Sequence, residues 1–175
     1  MKRRPAFAAR DNIADIMRHG DAAFMKIALR EAYRGIARGD GGPFGAVIVQ
    51  HGEVLAKGHN EVLRTNDPTR HAEMCAISRA ARKMSTPHFK WAEIFSTTEP
   101  CVMCFAAINW AQMRRVTFGT TVRDVKRLGF NELVISNQRL KTLGGSRVEI
   151  VPAFMRDACL KLLDDWRHLP SKRTY

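Results

Sequence analysis

The chain has 175 residues, 45% hydrophobic and 26% charged, a composition that fits one folded domain and excludes a globally disordered protein. Four cysteines are too few for a disulfide scaffold, and no apolar run approaches the roughly 20 residues of a membrane helix. Twenty-nine Lys and Arg against 17 Asp and Glu leave a formal charge of +12, which suits phosphate-rich partners.

The cations are scattered in short groups such as Arg114/Arg115 and Arg123/Lys126/Arg127, so a solvated basic surface and a nucleic-acid footprint are both open readings. Residues 1–10 are basic but lack the apolar core of a signal peptide, so the expectation is a cytoplasmic protein with reduced thiols and no membrane partner.

In chain order, residues 1–20 form an N-terminal extension in which Ile13, Ile16 and Met17 mark a helical face, and residues 21–175 form the main domain. Leu29, Ala32, Tyr33 and Ile36 recur at i, i+3, i+4, i+7 and predict a helix over residues 21–38, stopped by Gly39-Asp40-Gly41-Gly42-Pro43. Residues 44–49 and 54–56, turned at His51-Gly52, read as a β-hairpin. Asp67-Pro68-Thr69 reads as a helix start with Asp67 as N-cap, the helix running to residue 83. A strand is predicted at 93–97, a helix at 101–113 after Pro100, strands at 115–118 and 147–150, and a closing helix at 155–167. Strands alternating with helices predict an α/β fold, a sheet covered by helices.

Two segments carry chemistry: His71-Ala72-Glu73 and Pro100-Cys101-Val102-Met103-Cys104. Imidazole and thiolate are ligands that zinc prefers, and Cys101 and Cys104 are spaced to bind one ion from a first helical turn. One neutral His and two thiolates balance Zn²⁺ and leave its fourth position open, the arrangement of catalytic sites. Glu73, two residues after His71, is placed to accept a proton from the attacking water and deliver it to substrate. Together the segments match the zinc-deaminase signature H-x-E, then P-C-x-x-C. Cys75, at i+4 from His71, permits a closed Cys₃His structural site, but that leaves Glu73 without a role. Cys75 and Cys159 read instead as buried core thiols. The remaining histidines, His59 among them, lack ligand-like spacing and read as surface or loop residues.

With these residues in hand, the chain resembles the cytidine deaminase superfamily and, within it, the bacterial guanine deaminases. The resemblance runs from about Gly41 to the C-terminus. It includes Pro43-Phe44-Gly45-Ala46, Gly58-His59-Asn60, Thr65-Asn66-Asp67-Pro68-Thr69, Ala106-Ala107-Ile108-Asn109-Trp110-Ala111, Gly129-Phe130 and the terminal Tyr175. It implies a three-layer α/β/α sandwich with a central mixed five-stranded sheet. It also implies one zinc per chain on His71, Cys101 and Cys104, with Glu73 as proton carrier and Glu132 as a second one. Asn60, Phe44, Trp110, the Ala72 backbone and Tyr175 would bind the base. Read without the resemblance, Asn60 is equally a turn residue, Phe44 and Trp110 are core aromatics, Glu132 is an exposed carboxylate and Tyr175 is a frayed terminus. The implied reaction is hydrolytic deamination of guanine to xanthine and ammonia. A homodimer is also implied, its C-terminal segment docked on, or exchanged with, the second subunit.

Three other readings stand beside this one. The tRNA adenosine deaminases share Glu99-Pro100-Cys101-Val102-Met103-Cys104 letter for letter, and +12 suits RNA. They usually carry a D-A-K-x-G-A-x-G-S-type stretch where this chain has Arg123-Asp124-Val125-Lys126-Arg127-Leu128-Gly129-Phe130. Cytosine or another aminated heterocycle is a second alternative substrate. A non-catalytic zinc-stabilised binding module, in which Glu73 is dispensable, is the third.

Overall fold

The computed structural model describes residues 13–175. Of the expected N-terminal extension, residues 1–12 lie outside the described residues. From Ile13 the chain is already in α1 (Ile13–Arg38), so the helical pattern before residue 21 belongs to the same helix as the pattern after it. β1 (Gly45–Gln50) and β2 (Glu53–His59) follow, then α2 (Val62–Thr65), α3 (Ala72–Met84), β3 (Ala92–Thr98) and α4 (Val102–Trp110). β4 (Arg115–Thr120), α5 (Val122–Lys126), α6 (Asn137–Gly144), β5 (Glu149–Val151) and α7 (Arg156–Arg167) complete the order.

The five strands form one mixed sheet in the order β2-β1-β3-β4-β5. β1 is antiparallel to β2 and β3, whereas β3, β4 and β5 are parallel. Strand alternation explains the layers. Ala46, Ile48 and Ile94 face a cluster with Ala72 and Ala76 of α3 and Ile108 of α4. Val47, Val49 and Phe95 face Met25 and Ala28 of α1 and Leu162 of α7. Both sheet faces are thus covered, as the α/β/α reading requires. Gly58 sets the approach of α3: a Cβ there would stand 2.6 Å from the Ala72 carbonyl oxygen, so only glycine lets the helix start press against β2.

Three sequence readings need correction. Asp67 does not cap α3. Its Oδ1 accepts hydrogen bonds from the Thr69 amide at 2.8 Å and the Thr69 hydroxyl at 2.6 Å, closing a local turn, and α3 begins only at Ala72 with His71 as N-cap. His59 is buried, not a surface residue. Its Nε2 lies 2.8 Å from Asp40 Oδ2 and its Nδ1 3.5 Å from Glu31 Oε2, in space that Gly35 of α1 leaves free. The short helices α2, α5 and α6 carry too few apolar repeats to show in the pattern; α5 is fixed by a capping box between Thr121 and Asp124. No described helix is long and apolar enough to cross a membrane.

Candidate active site

The parallel strands β3 and β4 end at Thr98 and Thr120, and two helix starts meet beyond those ends. His71 is the N-cap of α3, Cys101 is the N-cap of α4, and Cys104 sits in the first turn of α4. His71 Nδ1 lies 3.6 Å from Cys101 Sγ and 3.7 Å from Cys104 Sγ. A tetrahedral ion with metal–sulfur bonds of about 2.3 Å and a metal–nitrogen bond of about 2.1 Å separates N from S by about 3.6 Å, so these three side chains fit zinc. It is the one such ligand cluster among the described residues.

The electrostatics favour metal binding. The hydrogen bond from Cys104, and then the His71 ring, lower the Cys101 thiol to about 4, in keeping with its place at a helix N-terminus. Cys104 is pushed up by the same hydrogen bond and by burial, so the pair retains one proton until a cation displaces it. Burial acts to lower His71, but the hydrogen bond to Cys101 and nearby negative charge outweigh it and raise the ring. Cys75 takes no part in the cluster. Its thiol faces the Arg70 carbonyl at 3.7 Å, and burial pushes it up to about 12. Cys159 is buried in the same way.

Glu73 is 5% exposed. Its Oε1 accepts a hydrogen bond from Ser96 Oγ at 3.0 Å, and its Oε2 accepts one from the Cys104 thiol at 3.5 Å. Burial, followed by the charge of Cys101, raises its carboxyl. Ser96 fixes this carboxylate from β3, a role the sequence reading missed. The only signal was a hydroxyl between Ile94 and Thr98 on the α3-facing side of the strand.

A cavity of about 230 Å³ opens beside this cluster. Phe44 and Phe130 form apolar walls, edge to face at 5.1 Å between centroids. Phe130 also stacks on Trp166 at 5.0 Å and meets Tyr175 at 5.3 Å. The Asn131 amide donates to the Tyr175 carbonyl oxygen at 3.3 Å, so the terminus is packed onto the cavity instead of frayed. Glu132 lines the same space, its Oε2 buried without a partner. Burial, and then the Cys101 charge, hold its carboxyl up at about 7.

Asn60 is fully buried, and its Oδ1 accepts from the amides of Gly42 (3.3 Å) and Val62 (3.2 Å), leaving Nδ2 unpartnered. The Tyr175 hydroxyl stands beside Gly42 and Asn60 outside hydrogen-bonding geometry and is likewise unpartnered. Buried orphan polar atoms next to apolar walls are what a flat polar ligand would satisfy. Ala72 opens α3, so its amide is among those a helix start leaves free.

Trp110 does not join these residues. It is 79% exposed at the last position of α4, about 13 Å of helix rise beyond Cys101, and off the stripe that buries Cys104, Phe105 and Ile108.

Two acidic residues without an assigned role organise the rim. Glu99 accepts from the Asn137 amide at 2.7 Å and the Val122 amide at 3.3 Å, tying the starts of α6 and α5 to the end of β3. Glu61, almost fully buried, binds Arg64 (2.7 Å), Arg70 (2.7 Å) and Arg79 (2.5 Å), anchoring the loop that carries Pro68 to the cavity edge. Burial acts to raise Glu61, but the Arg70 hydrogen bond and the charges of Arg79 and Arg64 lower it to about 2 from an ordinary 4.5. On acidification the unfolded chain therefore takes up this proton first. The stabilisation is complete above about pH 4.5 and disappears as pH falls toward 2. Denaturant unfolding across that window should show a Glu61→Gln variant losing less stability than the parent. Parallel pH profiles would contradict the assignment.

A family model of the cytidine and deoxycytidylate deaminase zinc-binding region matches residues 18–120. Guanine deaminase of Bacillus subtilis (strain 168) is 33% identical over 152 residues, which cover 87% of this chain and 97% of that protein. The tRNA-specific adenosine deaminase of Aquifex aeolicus (strain VF5) is 43% identical over 99 residues, 57% of this chain and 65% of that one. Among solved structures, guanine deaminase from Nitrosomonas europaea superposes with a TM-score of 0.77 at 29% identity, covering 84% of each chain.

Proposed function

The chain belongs to the cytidine and deoxycytidylate deaminase zinc-binding family, and on that footing we propose that it deaminates a free purine base, converting guanine and water to xanthine and ammonia. The observation that carries this reading is the cavity. At about 230 Å³ it falls below the roughly 300–1,000 Å³ of drug-sized pockets, and Tyr175 of the same chain lies over it. A space of that size, walled by Phe44 and Phe130, suits a bare ring better than a nucleotide in a strand.

Bound at His71, Cys101 and Cys104, zinc would supply Lewis acidity that lowers the pKa of water toward about 7. Glu73, held by Ser96, accepts the proton of the water that attacks C2 and returns it to a ring nitrogen. Glu132 protonates the departing amino group. Asn60 presents its amide N–H to the base because two backbone amides already occupy its oxygen. The Ala72 amide and the Tyr175 hydroxyl donate to the remaining acceptors, while the tail excludes water. The same proposal includes one zinc per chain, one deaminase domain over residues 21–175, a cytoplasmic location and a homodimer. The exposed Trp110 is free to meet the partner in that homodimer.

Deamination of tRNA adenosine is the second reading, favoured by the +12 charge and the Aquifex relative. It requires the tail to leave the cavity. Removal of residues 171–175 separates the two. On the guanine reading, zinc content stays unchanged and guanine turnover falls about tenfold or more, the loss expected for one oriented hydrogen bond plus poorer closure. Unchanged guanine kinetics in the truncated protein would count against an enclosed base.

A further inference from the structure

The catalytic cavity lies at the C-terminal ends of β3 and β4. At the opposite ends of these strands, Trp91 stands just before β3 with 63% of its surface exposed. The seven residues of β3, at about 3.3 Å each, place it about 20 Å from the cavity. Trp91 borders a groove of about 690 Å³ that also holds Lys90, Arg114, Arg147, Asn109 and Gln112, with no carboxylate among the described residues lining it. A second hollow of about 460 Å³ shares Trp91 and Arg114 and adds Arg115 and His51. Its two carboxylates are already engaged: Asp21 binds Arg115 at 2.9 Å, and Glu93 binds both Arg114 and Arg115. Trp91 is therefore a ridge between a cation-lined groove and a hollow whose arginines are paired with carboxylates.

We propose that this ridge and the cation-lined groove beside it bind single-stranded nucleic acid. An indole face in water is unfavourable alone, but it is a platform on which any unpaired base can stack. Lys90 and Arg147, in a groove that no carboxylate lines among the described residues, match a phosphate chain passing over such a platform. Asn109 and Gln112 add side-chain amides that suit base edges. Asn109 Oδ1 accepts from the Ser146 hydroxyl at 2.7 Å, so what its amide has left to offer is a donating N–H₂. A duplex, whose bases are already stacked, would gain nothing from the ridge. The site also gives the charge of +12 a use that a neutral base in the catalytic cavity does not.

The test measures anisotropy of short labelled oligothymidylate and oligouridylate with the zinc-loaded full-length protein over a salt series. Affinity should fall linearly on a log–log plot, with a slope of about −0.7 per phosphate neutralised. Trp91→Ala should weaken binding about tenfold, the loss expected for one stacked base, and abolish quenching of tryptophan fluorescence. Lys90→Glu with Arg147→Glu should flatten the salt slope. Guanine turnover, zinc content and melting temperature should not change in these surface variants. Absence of binding at low salt would overturn the proposal. So would binding whose affinity and slope are unaltered by either variant, since the strand would then be held elsewhere. Competition by a free mononucleotide as strong as by the oligonucleotide would overturn the polymeric ligand.

Discussion

Glu73→Gln should retain zinc and fold yet lose turnover by about a thousandfold or more, because one carboxylate both takes the proton from water and returns it to the base. The substitution isolates that function. Glutamine has the same shape, and its oxygen can still accept the Ser96 hydroxyl's hydrogen bond, so the side chain has reason to stay in place. Replacing a carboxylate that is 5% exposed with a neutral amide also removes a desolvation cost, so stability should hold or rise slightly. What the amide cannot do is accept a proton. Steady-state kinetics beside metal analysis check this, and near-normal turnover in a zinc-loaded Glu73→Gln protein would contradict the mechanism. A zinc-loaded parent protein that itself turns over no base would instead favour the non-catalytic binding module.

Cys104→Ser should lose metal and much of the fold's stability together. Cys104 is fully buried at the start of α4, and a bound ion there joins α4 to the N-cap of α3 through His71. Metal affinity at such a site is folding free energy, so removing one thiolate lowers both. Cys101→Ser should behave alike. Cys75→Ala is the contrasting case, since its thiol faces a carbonyl and not the ligand cluster; it should keep its zinc and lose only a little packing. Metal content by atomic spectroscopy and thermal melting measure both. Loss of zinc from Cys75→Ala as complete as from Cys104→Ser would overturn the open three-ligand site.

The ligand triad was legible in the sequence because metal chemistry tolerates few residue types and few spacings. His71, Cys101 and Cys104 meet in space as the two motifs imply. The sandwich was legible because strand alternation and helical repeats are strong where both sheet faces are buried. The supporting contacts were not. Ser96 and Glu61 are generic residues whose roles come from partners 23, 18 or 9 positions away, which no local pattern records. Asp67 misled because the same side chain that caps a helix also closes an Asx turn. Trp110 lies away from the cavity of its own chain because membership in a motif places a residue on a helix but not at its near end. The tail read as polar and loose from its composition. Its order comes from a long-range aromatic contact between Tyr175 and Phe130.

Action on a free purine base can be assayed outright. Its most direct test gives purified, zinc-loaded protein guanine, adenosine, cytosine and a tRNA anticodon stem in parallel, with ammonia followed and products separated by chromatography. Xanthine from guanine, with no inosine in the tRNA, is the expected result. Inosine in the tRNA without xanthine from guanine would contradict it.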